Sequence, residues 1–328
     1  MRYSKILLLL VTLVPVLFSC NKELNVNADW KDVTVVYGLL DQTQDTTFIK
    51  ITKAFLGPGD AMQFAKIPDS SNYPDKLEVR LDEYNGTTLV NSFLCDTVTI
   101  HNKQAGDSIF YYPDQLMYYT TAPLNENSLY KLFIKNKNTG KEVTAETELV
   151  GDFTIERPQI ASFIPGYTFE VKWTPSKVGK RYQLVIRFWY QEAKKTDPAN
   201  PVMKYIDWLV FNNVLAADNQ MTSFDYFFPG DAFYSVVGSK IKVDTSLAGR
   251  SAHHCDFIFT VAASALNTYM EVTEPSLSLV QERPAYSNIN NGIGIFSARY
   301  IKSNNNMEIS SPTKAELKVN QYTKDLGF

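Results

Sequence analysis

The feature that most constrains this chain is a strict two-residue alternation followed by a turn signal. Leu77, Val79 and Leu81 alternate with Glu78, Arg80 and Asp82, and Asn85-Gly86 comes next. An alternation of this kind places one apolar and one polar face on a β-strand, and Asn-Gly favours the tight turn of a hairpin. Thr87–Ile100 then reads as the return strand. The pattern recurs. Phe48–Phe55 sets Ile49 and Ile51 against Lys50 and Thr52, while Val33–Leu40 reads as a buried strand. Leu129–Ile134 leads through Asn138-Thr139-Gly140 into Val143–Leu149. Aromatic residues make up 13% of the chain, with 19 Tyr and 20 Phe, which also favours strands over helices. The spacing of strands and turns predicts β-sandwich architecture.

The first twenty residues carry an address. Arg2 and Lys5 precede the apolar run Ile6–Phe18, which ends in Ser19-Cys20. A bilayer span needs about 20 apolar residues, so this shorter run is a targeting segment. A small residue directly before cysteine resembles a bacterial lipoprotein signal with its lipobox. That resemblance implies cleavage before Cys20 and lipidation of its thiol. The formal charge is −3, and becomes −5 once Arg2 and Lys5 are removed. A mildly acidic chain offers no electrostatic footprint for nucleic acid. Nor would it be held to anionic headgroups, so the membrane partner is reached through lipid on Cys20, by two or more acyl chains.

The expected organisation is a signal peptide over 1–19, a tether over 20–31 and an N-terminal β-sandwich over 32–151. A C-terminal β-rich module with short helices follows over 152–301, and a loosely packed polar tail over 302–328. The fold class is therefore mainly β, with two immunoglobulin- or fibronectin-like sandwich modules, the second with helical insertions. Phe169–Trp173 and the long strand Tyr182–Tyr190 resemble the B and C strands of a fibronectin type III-like module. Gln191–Met203, with Pro198 and Pro201, reads as a loop. Asp60–Lys66 is expected to form a helical turn. Pro229 is expected to open a helix with Phe233, Val236 and Val237 inward. A second helix is expected over Ser264–Val272 with Leu266, Tyr269 and Met270 inward.

Two stretches carry a wider likeness. Val35-Val36-Tyr37-Gly38-Leu39-Leu40-Asp41 lies near one end, and Tyr286-Ser287-Asn288-Ile289-Asn290-Asn291-Gly292-Ile293-Gly294-Ile295-Phe296 near the other. With the lipobox and a Tyr-x-Leu strand in mid-chain, they resemble a Bacteroidota lipoprotein family of unknown function. Its members often lie beside TonB-dependent outer-membrane receptors. The resemblance implies an outer-membrane address and a TonB-dependent receptor as partner. Tyr37 stands where the family commonly has Glu, and the family supplies no catalytic residue to carry over.

No constellation in the sequence names a reaction. His253-His254-Cys255-Asp256 is the one dense group of metal-capable residues, but on a strand His253 and Cys255 share one face and His254 and Asp256 the other. A zinc site wants four converging ligands, so no metal is expected. No Gly-x-Ser-x-Gly elbow occurs, and Gly292-x-Gly294 lacks the rest of a phosphate loop, so no cofactor is expected. Asp82-Glu83 and Glu271-Glu274 read as solvated carboxylates. Cys95 and Cys255 are either a bridge between modules or two buried hydrophobes.

The aromatic hairpin is the binding candidate. Trp189, Tyr190, Tyr205 and Trp208 fall on two strands expected to pair. Tyr182, Leu184, Ile186, Phe188 and Tyr190 share one face, and Val185, Arg187 and Trp189 the other. The rings are either sandwich core or a platform for a ligand. The expected role is non-catalytic binding or assistance to a TonB-dependent transporter. A secreted hydrolase acting on glycan or peptide, and a surface adhesin, are the alternatives.

Overall fold

A computed structural model describes residues 33–54, 61–101, 111, 114–217, 222–274 and 285–328. Cys20, the tether and the proposed cap Asp60 lie outside these residues. The strands are β1 (Thr34–Leu40), β2 (Thr47–Lys53), β3 (Glu78–Asn85), β4 (Thr88–Leu94), β5 (Asp96–Ile100), β6 (Gln115–Thr120), β7 (Leu129–Lys135) and β8 (Glu142–Glu148). Then come β9 (Ile155–Arg157), β10 (Thr168–Trp173), β11 (Gly179–Lys194), β12 (Asp197–Leu215), β13 (Phe224–Pro229), β14 (Leu247–Ala263) and β15 (Gly292–Glu308). Helices α1 (Ala61–Ala65), α2 (Pro68–Ser71), α3 (Asp231–Lys240), α4 (Ser264–Thr273) and α5 (Ser311–Val319) are short. The protein is mainly β.

One eight-stranded sheet organises the molecule, in the order β12-β11-β14-β15-β1-β2-β6-β5. Two smaller sheets, β4-β3-β7-β8 and β13-β10-β9, lie over the same face of it. Alternation explains that face. Val36, Leu40, Ile49 and Ile51 point inward from β1 and β2, toward Val79, Leu81, Leu132 and Ile134. Further along, Trp173 stacks 5.0 Å from Phe224 and lies 5.2 Å from Phe259 of the large sheet. Phe169 faces Phe257 at 6.0 Å. All these residues belong to one buried cluster.

The seam between the halves is β1 against β15, paired in parallel from Thr34↔Gly292 to Leu40↔Ala298. The large sheet thus takes strands from both sides of the expected boundary at residue 151. The reason is chain return: β15 comes back beside β1, where both backbones find partners.

Several local expectations are revised. The β3–β4 turn is centred on Gly86-Thr87, since Asn85 pairs with Thr88. Gly86 has φ 58°, the leading-glycine form of a two-residue hairpin. The expected loop Gln191–Met203 is instead the end of a long hairpin, with Lys194 paired to Asp197. Pro198 and Pro201 fit because β12 is the edge strand and the register shifts beside Glu192. Pro229 ends β13 rather than opening α3, and the inward residues of α3 are Phe233, Tyr234 and Val237. On α4 the buried residue is Asn267, not the apolar trio, because its amide oxygen accepts from Arg181 Nε at 2.8 Å. The tail is packed rather than loose. β15 runs to Glu308, α5 is capped by Ser310, and Thr313, Leu317, Thr323 and Leu326 are buried. Its polar composition misleads because Met307, Ile309, Ser310 and Asn320 are buried with them, enough to seat a mainly polar segment. Asp82 and Glu83 are also buried rather than solvated. Asp82 accepts from Arg80 and Ser92, and Glu83 from Asn91 and Ser128. Cys95 and Cys255 are free, buried thiols. Burial pushes Cys95 up to about 11 and raises Cys255 further, as inert core thiols.

Candidate functional site

The four aromatic candidates divide two and two. Strand parity sends Tyr190 and Trp208 to the inner face. Tyr190 is buried beside Phe188 and Phe328, at 5.7 and 5.9 Å. Trp208 meets Phe228 edge-on at 5.0 Å. Trp189 and Tyr205 are directly paired on the outer face, with ring centroids 4.8 Å apart. The Arg187 guanidinium lies 4.1 Å above the Tyr205 ring and forks onto Asp207 at 2.7 and 2.9 Å. Trp189 Nε1 donates to Asp256 Oδ2 at 2.6 Å. This row of rings and ions is held by its own members.

The histidines join that outer face. Trp189 pairs with His254 and Tyr190 with Ala252, so a bulge leaves His253 as an extra residue. The expected alternation of His253 with His254 fails there, and the two Nδ1 atoms lie 2.5 Å apart. Cys255 points into the core. Burial holds the His254 imidazole below its ordinary value, against the opposing charge of Asp256 and with the help of His253. Among the described residues no three His, Cys, Asp or Glu side chains converge as a metal site.

Single substitutions separate the two faces. Trp208→Ala should cost about 3 kcal/mol, the low end for a large ring because Trp208 is half-buried. Trp189→Ala should cost roughly 1–2 kcal/mol, mainly the hydrogen bond to Asp256. Urea unfolding of the two variants checks this, and equal losses would contradict the assignment of faces.

A second feature on the outer face was not anticipated. Two adjoining cavities of about 360 and 560 Å³ share Tyr37, Lys50 and Gln115. They form a trough over β1, β2 and β6. Parity puts Val35, Tyr37 and Leu39 of β1, Phe48, Lys50 and Thr52 of β2, and Gln115 and Met117 of β6 on this floor. α4 forms one wall. It is pinned by Leu266 N donating to Ser297 Oγ at 3.1 Å and by Arg181 bonding Asn267 and Glu274. Tyr269 of α4 meets Tyr37 edge-on at 6.4 Å. Burial, with the Tyr269 hydroxyl as hydrogen-bond partner, raises the Tyr37 phenol above its ordinary value. At one end Arg299 Nε reaches Asp41 Oδ2 at 3.1 Å.

The sequence held a trace of this trough. Val33–Leu40 reads as wholly buried, yet Tyr37 is 41% exposed because it shares the outward phase with Val35 and Leu39. Phe48 sits in the polar phase of β2, beside Lys50 and Thr52. An aromatic ring in the solvent phase of a strand was the available signal. That β6 and α4 close around it follows from topology alone.

No family model matches this chain. No curated protein matches it either. Among solved structures, it is similar to the C-terminal globular domain of an oligosaccharyltransferase from Pyrococcus abyssi, at 12% identity and TM-score 0.23, over 70% of this chain and 47% of that one. CBD12 from CALX1.2 is similar at 10% identity and TM-score 0.15, over 82% of this chain and 100% of that one. The chain thus spans about half the length of the first of these structures.

Proposed function

We propose that this protein is a non-catalytic binding protein, tethered to the outer membrane through lipid on Cys20 and assisting a TonB-dependent transporter. The trough over Tyr37, Phe48 and Gln115 is the observation that carries the binding role. It is concave, it has a volume suited to a small ligand, and rings and hydrogen-bonding side chains converge in it. The pair Asp41–Arg299 at its end is already spent on itself. These groups hold a ligand rather than transform it. The tether rests on the charged, apolar, Ser-Cys order of residues 2–20. Among the described residues, no helix is long and apolar enough to cross a membrane.

Two measurements test the reading. Cys20→Ala should leave uncleaved precursor or release the protein from the membrane fraction. An unmodified mature N-terminus in the mass spectrum of the wild type speaks against the anchor. Incubation with a small-molecule extract of the cell envelope should slow amide exchange in β1 and β2. Protection confined to β11 and β12 would move the seat to Trp189 and Tyr205.

A further inference from the structure

The class of ligand follows from what the floor of the trough lacks and what it presents, given the reading of the protein as a binder. β1 is hydrogen-bonded to β15 on one side and β2 on the other. β2 meets β6 over Thr47–Ile49 and β1 over Ile49–Lys53. Beneath Tyr37 the backbone donors and acceptors are therefore spent within the sheet. An extended peptide gains its affinity for a sheet by adding a strand at a free edge. At β1 the floor is a face, and offers a peptide no ladder.

It offers rings and polar groups of both signs and of none, with Lys50, Lys53 and Asp114 beside uncharged amides and hydroxyls. Tyr37 and Phe48 expose 41% and 42% of their surface. The amides of Gln44 and Gln115 and the hydroxyls of Thr46 and Thr52 stand around them. An amide presents donor and acceptor together, the arrangement that suits neighbouring hydroxyls of one sugar. A flat ring covers the C–H face of a pyranose, and a phenol adds a polar tip. Formal charge at the Asp41 end is cancelled by Arg299 at 3.1 Å. From Val35 to Asp41 the floor runs roughly 20 Å at about 3.3 Å per residue, room for several linked sugar rings.

We propose that the trough binds a neutral oligosaccharide, with Tyr37 and Phe48 as stacking surfaces and Gln115 as the central hydrogen-bonding amide. The test applies the full mature protein in detergent to an array of neutral plant, fungal and bacterial oligosaccharides, with calorimetric titration of the sugars retained. Binding to at least one sugar class is expected. Tyr37→Ala, Phe48→Ala and Gln115→Ala should each weaken it at least tenfold while the melting temperature holds. Gln115→Ala is the variant least exposed to misfolding, since it removes no ring. Sugar binding that survives all three changes, or that falls in Tyr205→Ala instead, overturns the proposal. The same protein is titrated with a peptide library and with palmitate. Saturable binding of either, lost in Tyr37→Ala and accompanied by a silent sugar array, rejects the sugar and keeps the binding role. Silence in all three arms rejects both.

Discussion

Replacing Gly294 by alanine should destabilise the whole protein by several kcal/mol, because Gly294 sits at the seam of the large sheet. Its φ of 114° is a conformation that side-chain-bearing residues rarely adopt. A Cβ there would lie 2.0 Å from the Val36 carbonyl oxygen, a backbone atom of β1 that cannot move without opening the parallel pairing. The strained backbone alone costs roughly 1–3 kcal/mol. Displacing packed neighbours adds about another 1–3 kcal/mol. That is a large share of the ~5–15 kcal/mol that holds a typical domain together. Gly140→Ala is the matched comparison. Gly140 has φ 72° but open space around the new carbon, so only the backbone strain applies. Guanidinium unfolding of both variants decides the matter, and equal midpoints would show that the seam does not depend on close approach at Gly294.

Arg250→Ala should have the second large effect. The Arg250 side chain is 3% exposed and lies 2.9 Å from Glu192. It donates to the Lys242 carbonyl at 3.0 Å and to the Leu326 carbonyl, and its own backbone N–H donates to the Gly327 carbonyl at 2.6 Å. One guanidinium thus ties the hairpin end, the segment after α3 and the C-terminal turn. Removing one partner of a buried ion pair costs about 3–5 kcal/mol. The lower part of that range applies, since Lys204 still reaches Glu192 at 2.5 Å. Melting should be accompanied by early release of residues 311–328, seen as fast amide exchange. Exchange that stays slow there would mean that the tail is held by α5 alone.

The same triad sets a pH dependence. Burial pushes the Glu192 carboxyl up, but hydrogen bonds from Lys204 and Arg250, and their charges, outweigh burial and hold it below its ordinary value. A depressed carboxyl contributes stability above its unfolded value, about 4.3 for Glu. That contribution is lost as pH falls through the folded value. The wild type should therefore lose stability in acid more steeply than Glu192→Gln. Parallel acid limbs would show that the pair contributes nothing to the difference.

The sequence by itself determined the local character of this protein. Alternation at Leu77–Asp82 and at Ile49–Thr52 set strand faces, and Tyr182–Tyr190 kept its inner row, because the two-residue period is a property of backbone geometry. It also singled out Gly292 and Gly294, though as an incomplete phosphate loop rather than a seam. The pairing of strands distant in the chain was decided only in three dimensions. β1 meets β15 across more than two hundred residues, and no local pattern encodes that choice, since any strand edge satisfies any other. The division of Trp189 and Tyr205 from Tyr190 and Trp208 needed the register of β11 on β12, and the placing of His253 needed a bulge. Lys302–Phe328 was misjudged from composition, because a few well-placed contacts such as the Arg250 clasp seat a polar segment. The trough is the clearest case. Phe48 stands in the polar phase of β2, but Tyr37 lies in a strand that reads as buried, and α4 arrives from a distant part of the chain to make a wall beside them. Period and propensity are local; concavity is made by residues that meet only after folding.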